Sequence, residues 1–193
     1  AIGYLALSAD TKGDNSVAIG DQALSTQNFT TSTDSYNVAI GPSAGLSVTT
    51  GIRNSILGGL AGDALTDADE NVAIGYASLS ADTLGSQSVA IGSQALATQN
   101  FTTATSVYNT AVGYEAGKAV TTGTRNTIVG GLAGDAITTG DQNTVFGALA
   151  LSEETTGEYS VAVGYQALAV QNSTTGTSMS VSYTHLTLPT INW

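Results

Sequence analysis

A short glycine-closed motif, returning at nearly fixed spacing, limits what this chain can fold into more than any other feature. Asn37-Val38-Ala39-Ile40-Gly41, Asn71-Val72-Ala73-Ile74-Gly75 and Asn126-Thr127-Ile128-Val129-Gly130 share one pattern: Asn or Ser, a β-branched residue, Ala or a larger aliphatic, an aliphatic, Gly. The closing glycines are Gly3, Gly20, Gly41, Gly58, Gly75, Gly92, Gly113, Gly130, Gly147 and Gly164, at spacings of 17, 21, 17, 17, 17, 21, 17, 17 and 17. One 21-residue and three 17-residue intervals make a 72-residue super-repeat, so Gly20 maps to Gly92 and Gly92 to Gly164. A unit of this size cannot bury a core alone, and a fixed period near 20 residues is the mark of a solenoid. The units are rich in Gly, Thr, Val and Ile, which favour strands and turns. The expected fold is all-β: a parallel β-solenoid (β-roll) with 17- and 21-residue rungs. About ten rungs at ~4.8 Å each make a rod of roughly 50 Å.

Within a unit the residue before the glycine is large (Ile19, Ile40, Leu57, Ile74, Ile91, Val112, Val129, Phe146, Val163). Two positions earlier stand Val17, Val38, Ser55, Val72, Val89, Thr110, Thr127, Thr144 and Val161. A strand period of two puts these columns on one face and the residues between them, such as Ala18, Ile56 and Val145, on the other. With both faces apolar, one fills the rung interior and the other needs a partner. The structural repeat is carried by Gly20, Gly41, Gly58, Gly75, Gly92, Gly113, Gly130, Gly147 and Gly164, where a corner needs no side chain. It is also carried by Asn37, Asn54, Asn71, Asn109, Asn126 and Asn143, expected to stack as an amide ladder. A small residue three positions past each glycine suits a tight bend. A second, shorter strand is expected to carry Leu24, Val48, Leu65, Leu96, Val120, Ile137 and Leu168.

Four Lys and Arg against 15 Asp and Glu give a formal net charge of −11. Such a surface does not suit nucleic acid, which needs clustered basic residues, nor an anionic membrane. Acids here keep a long apolar-cored array soluble. Cysteine is absent, which removes disulfides and thiolate metal sites. No apolar run approaches the ~20 residues of a membrane helix, so no membrane insertion is expected in this stretch. Ala1-Ile2-Gly3 reads as the end of a repeat unit, and the start is expected to be a cut.

Asn71-Val72-Ala73-Ile74-Gly75, Ser88-Val89-Ala90-Ile91-Gly92 and Asn109-Thr110-Ala111-Val112-Gly113-Tyr114-Glu115-Ala116-Gly117 resemble repeats in phage tail fibres and related surface proteins. They are also similar to the head repeats of trimeric autotransporter adhesins. The resemblance covers about residues 1–180, although the 17- and 21-residue spacings exceed the rungs usual in adhesin heads. It implies a trimeric β-roll projecting from a virion or a cell and contacting a host-surface glycan or protein receptor. The first expectation is a phage tail-fibre segment on the virion; the alternative is the head of a bacterial adhesin at the cell surface. The two apolar strand faces point to a homotrimer.

Residues 1–180 are expected to form the array and 181–193 to be a non-native tail. The period asks for an Asn at 181, but the chain reads Val181-Ser182-Tyr183-Thr184-His185-Leu186-Thr187-Leu188-Pro189-Thr190, a string that resembles a reading frame of a sequencing adapter. The single His185 and single Trp193 both fall inside it. Without His185 no imidazole base is left to activate a Ser or Thr, so no enzyme activity and no catalytic, cofactor or metal residue is expected. Gly58-Gly59-Leu60-Ala61-Gly62 and Gly130-Gly131-Leu132-Ala133-Gly134 lack the lysine of a phosphate loop and read as corners. Asp67-Ala68-Asp69-Glu70 could offer oxygens to Ca²⁺, but its repeat mate keeps only Asp141, and a solvated turn is the expected reading. Glu153-Glu154 is expected to be another exposed turn. An ice-binding face would want a regular threonine column, and the pairs Thr49-Thr50, Thr121-Thr122 and Thr138-Thr139 do not recur on every rung.

The 21-residue rungs carry the extra residues Gln27-Asn28-Phe29-Thr30-Thr31 and Gln99-Asn100-Phe101-Thr102-Thr103, closed by Tyr36 and Tyr108. Insertions in a solenoid fall on one face and often bind. Asn28, Phe29, Tyr36, Asn100, Phe101 and Tyr108 are therefore candidate receptor contacts, the competing reading being that the Phe rings cap the local core. Asn28-Phe29-Thr30 also matches a glycosylation sequon, which matters in a secreted eukaryotic setting.

Overall fold

The computed structural model describes residues 1–173 and the strand Val181–Tyr183. One parallel sheet runs the length of the molecule. Its strands are β2 (Val17–Ile19), β4 (Val38–Ile40), β5 (Ser55–Leu57), β6 (Val72–Ile74), β8 (Val89–Ile91), β10 (Thr110–Val112), β11 (Thr127–Val129), β12 (Thr144–Phe146), β13 (Val161–Val163) and β14 (Val181–Tyr183). Two small parallel sheets pair β1 (Gly13–Asp14) with β3 (Thr33–Asp34) and β7 (Gly85–Ser86) with β9 (Thr105–Ser106). Among the described residues there is no helix, so none that could cross a membrane.

The main sheet is in strict register. Val17 lies on Val38, Ala18 on Ala39 and Ile19 on Ile40, and the columns continue to Val161, Ala162 and Val163. The residues before successive glycines therefore stand in a file, and the fold is the expected β-solenoid. At the start, Ile2 bridges Ile19 in parallel and places Ala1-Ile2-Gly3 as part of a rung. At the other end, β13 pairs with Val181–Tyr183, so the ladder takes in the first three residues of the segment expected to lie outside the array. Residues 184–193, with His185 and Trp193, lie outside the described residues.

Each coil turns on residues in the left-handed region. The closing glycines have φ between 119° and 143°. At Gly130 a Cβ would sit 2.6 Å from the carbonyl carbon and oxygen of Gly147, so the file of glycines lets successive backbones touch. Two and four residues later φ is positive again, as at Gln22 (57°) and Leu24 (50°). The second strand expected around Leu24, Val48 and Leu65 is absent for this reason: a left-handed residue interrupts an extended run. Rung-to-rung backbone bonds persist through the turn all the same, as in Leu24 N–H to Ala44 C=O at 3.1 Å and Gly45 N–H to Ala61 C=O at 2.9 Å.

The core is one file of small and aliphatic side chains. Ala18, Ala39, Ile56, Ala73, Ala90, Ala111, Ile128, Val145 and Ala162 point in from the strands and are buried. Ala23, Ala44, Ala61, Ser78, Ala95, Ala116, Ala133, Ala150 and Ala167 do so from the bend. The remaining volume is filled in two ways. Leu24, Leu79, Leu96 and Leu151 fill it from four residues past the glycine. In four other rungs that position is Gly45, Gly62, Gly117 or Gly134, and Val48, Leu65, Val120 or Ile137 fills the space from seven residues past the glycine. A Cβ on Gly45 would meet Leu24 Cδ2 at 2.9 Å and Ile56 Cδ1 at 3.0 Å, so the larger neighbours have already taken its space.

Candidate functional site

The strand period leaves the columns flanking each buried Ala or Ile on the outer face of the ladder. Val17, Ile19, Val38, Ile40, Leu57, Phe146 and Val163 are exposed there. One residue beyond the closing glycines, Tyr4, Tyr76, Tyr114 and Tyr165 are exposed as well, Tyr76 and Tyr114 at 56%. The result is an aliphatic and aromatic stripe along the rod. A contiguous apolar surface of this kind marks an interaction face, whereas scattered single residues would need no explanation.

The asparagine column lies just inside the opposite end of each strand. Asn37, Asn54, Asn71, Asn109, Asn126 and Asn143 are buried to within 1%. Each uses both ends of its amide on the next rung. Asn126 Oδ1 accepts the backbone N–H of Asn143 at 2.9 Å, and Asn126 Nδ2 donates to Gly140 C=O at 2.8 Å. Asn54, Asn71 and Asn143 repeat the pair of bonds. The contacts run chiefly from amide to backbone; Asn54 Nδ2 to Asn37 Oδ1, at 3.3 Å, is the longer side-chain contact. Every buried polar group on this line is thus satisfied, as a low-dielectric interior requires.

A second buried polar system joins each 21-residue rung to the rung before it. Asp82 Oδ2 accepts from Gln99 Nε2 at 2.6 Å, and Asp82 Oδ1 accepts the backbone N–H of Gly85 (3.0 Å) and Phe101 (2.9 Å). Gln99 Nε2 also reaches Ser88 Oγ at 3.0 Å, and Gln99 Oε1 accepts from Asn109 Nδ2 at 2.8 Å. One super-repeat earlier the same chain runs Asp10, Gln27, Ser16 and Asn37. One later, Glu154 takes the acid position; its Oε1 accepts the N–H of Gly157 at 2.7 Å and of Ser173 at 3.1 Å. This corrects the expected exposed turn at Glu153-Glu154: Glu153 is exposed but Glu154 is buried, because it stands seven residues past Gly147, where side chains point inward. Burial pushes the Glu154 carboxyl up, but the backbone amides of Gly157, Ser173 and Thr156 outweigh it and hold the group below the usual range. The polar system left a trace in the sequence: Gln27, Gln99 and Gln171 are 72 residues apart, and so are Asp10, Asp82 and Glu154.

Each 21-residue rung gives one strand, Thr33–Asp34 or Thr105–Ser106, to a small sheet, and the rung before it gives the other. Phe29 and Phe101 are 6% and 8% exposed. Both rings are therefore turned away from solvent, and neither belongs to the central apolar file. Asn28, Asn100, Tyr36 and Tyr108 are exposed. Asp67, Asp69 and Glu70 do not converge on one point. Asp67 accepts from Thr50, Asp69 from the Ile52 N–H, and Glu70 from Arg53 and Gln87. Among the described residues no group of acids is arranged to hold a metal ion.

The first member of each threonine pair weighed in the sequence belongs to a column that is Thr on seven rungs and Asn on three, so no unbroken threonine file forms. Thr11, Asn28, Thr49, Thr66, Thr83, Asn100, Thr121, Thr138, Thr155 and Asn172 all stand eight residues past a closing glycine. Their hydroxyls reach the next rung, as in Thr66 Oγ1 to Thr83 C=O at 3.0 Å and Thr138 Oγ1 to Thr155 C=O at 2.8 Å.

Residues 1–23, 12–32, 84–105 and 156–175 match the family model described as the YadA head domain repeat. No curated protein and no solved structure matches the chain. The later matches contain the rungs with Leu24 and Gln27, Leu96 and Gln99, and Leu168 and Gln171, so the likeness recurs with the 72-residue period.

Proposed function

We propose that the chain is a segment of the projecting head of a bacterial surface adhesin, built as a homotrimer and presenting its rod to a host-surface glycan or protein. The observation that carries this reading is the apolar stripe on the outer face of the ladder. A monomer would leave Ile19, Ile40 and Leu57 in water on consecutive rungs and Phe146 five rungs further on, and three copies meeting along that stripe would remove them from it. The match to an adhesin-head repeat supports the same reading. The phage tail-fibre reading shares the rod and the trimer, but nothing on this surface favours it over the adhesin head. No catalytic role is proposed.

Light scattering on residues 1–180 tests the assembly. The expected result is a stable trimer, converted to monomer or aggregate by Ile40→Lys together with Leu57→Lys. A soluble, stable wild-type monomer at micromolar concentration would defeat the reading. Attachment is then measured by binding of the trimer to glycan and protein arrays.

A further inference from the structure

We propose that Asn28, Asn100 and Asn172 are acceptors for N-linked glycosylation, a modification that decorates the rod once per super-repeat. The observation is a coincidence of motif, exposure and orientation. The column eight residues past the closing glycine is Thr on every rung except three, where it is Asn28, Asn100 and Asn172. Each of those begins an Asn-x-Thr triplet: Asn28-Phe29-Thr30, Asn100-Phe101-Thr102 and Asn172-Ser173-Thr174. No other Asn in the chain has Ser or Thr two residues on. The buried ladder, Asn37 to Asn143, thus carries no sequon, although Ser or Thr adjoins several of its members.

The geometry suits the chemistry. All three side chains are exposed and lie in irregular backbone outside the strands. A threonine of the preceding rung holds each amide by its oxygen: Thr11 Oγ1 donates to Asn28 Oδ1 at 3.2 Å, Thr83 Oγ1 to Asn100 Oδ1 at 3.3 Å, and Thr155 Oγ1 to Asn172 Oδ1 at 3.1 Å. That bond holds the side chain by its oxygen and leaves Nδ2 without a partner among the described residues. Thr30 and Thr102 are exposed and their hydroxyls have no partner among the described residues, while Phe29 and Phe101 in the middle of their triplets are buried. A sequon acceptor needs this combination: a surface loop, a reachable amide nitrogen and a free hydroxyl two residues on. The 72-residue spacing places successive sugars four rungs apart, about 19 Å at the ~4.8 Å rung repeat.

The co-substrate is a sugar activated at C1 by a diphosphate leaving group. Asn Nδ2 forms the new bond to C1. The C1–O bond to the diphosphate breaks, the diphosphate departs on its nucleoside or lipid carrier, and the amide gives up one proton to a base of the transferase. In the test, the purified chain is incubated in one arm with a soluble sequon-reading transferase and UDP-glucose. The second arm uses a membrane oligosaccharyltransferase and a lipid-pyrophosphate oligosaccharide. Each enzyme is set at the level that fully modifies a synthetic peptide of residues 26–32. Glycopeptide mass spectrometry should find sugar on Asn28, Asn100 and Asn172 of the folded chain in at least one arm, which also identifies the donor class, and none on Asn37, Asn54, Asn71, Asn109, Asn126 or Asn143. Thr30→Ala should abolish the signal at Asn28 alone, and Thr30→Ser should keep it. A folded chain left bare in both arms, or a signal at Asn28 that survives Thr30→Ala, overturns the proposal.

Discussion

Between Gly41 and Gly75 the interior is dry: Val48, Leu65 and Ile56 fill it, and Gly45 and Gly62 make room for them. From Gly75 to Gly113 the same volume is divided differently. Leu79 and Leu96 take the apolar share, and the position that held Val48 and Leu65 now holds Asp82 and Gln99, joined to each other and to Asn109. Each super-repeat thus stacks an acid rung, an amide rung and two aliphatic rungs. Dry rungs are interchangeable, since Val, Leu and Ile pack against one another in any order at modest cost. The polar pair is not. Slipping the stack by one rung would set Asp82 against Val120 and strand a carboxylate in the core. The difference therefore assigns stability to one half of the super-repeat and register to the other.

Removing the acid should produce the largest loss. In Asp82→Ala the N–H groups of Gly85 and Phe101 and one N–H of Gln99 Nε2 lose their acceptor together, the other keeping Ser88 Oγ. At about 1–3 kcal/mol for each stranded buried group, the total is at least about 3 kcal/mol. The matched change in the dry half, Ile128→Ala, leaves a cavity and costs about 2–4 kcal/mol. Their character should differ more than their size. Because a solenoid's stability is summed over neighbouring rungs, amide exchange should accelerate around residues 82–109 in the first variant and around 117–145 in the second. Equal exchange along the whole rod in both variants would remove the distinction between the halves.

The asymmetry also bears on what the sequence discloses. The ladder columns and the glycine corners could be read directly, because each repeats with one residue type at one spacing. The absent second strand could not, since Leu24 and Val48 look like one column and belong to two, four and seven residues past their glycines. The buried acids were hidden by identity and context. Asp10, Asp82 and Glu154 differ in type, recur only every 72 residues, and Glu154 follows an exposed Glu153. A polar residue is usually outside, and only its vertical partner, a Gln on the next rung, reveals that this one is inside.

Acid should separate the two halves by sign. Burial raises Glu154, but the amides of Gly157, Ser173 and Thr156 bring it below its ordinary 4.5, so its contribution is present above that value and is lost as pH falls through the lowered one. Asp63 and Asp135 in the dry rungs are raised above 3.8, first by desolvation, and each has an Oδ1 buried without a partner. Their ionised form opposes folding, so the penalty present above the raised pKa is relieved as pH falls through it. Hydrogen exchange from pH 6 to pH 3 should show the amides of Gly157 and Ser173 losing protection, while those of Ser47 and Ala119, which donate to the carbonyls of Asp63 and Asp135, hold or gain it. Loss at all four together would contradict the assignment.

The smallest effect belongs to the rim of the ladder, where the two super-repeats themselves differ. Arg53 pairs with Glu70 at 3.1 Å; one super-repeat on the counterparts are Arg125 and Gln142, so the acid is missing, and Gln142 Nε2 donates to Tyr159, the counterpart of Gln87, at 3.3 Å. If that ion pair mattered to the fold, the second super-repeat would lack a support the first enjoys, yet both keep the same register across the corresponding strands. Arg53 and Glu70 are largely in water, where screening and side-chain entropy cancel most of the Coulomb gain. Glu70→Gln, which makes the first super-repeat imitate the second, should therefore leave the thermal midpoint unchanged within error at physiological salt. A clear fall in the midpoint, restored by Gln142→Glu in the same chain, would show that the rim charges take part in holding the rungs in line.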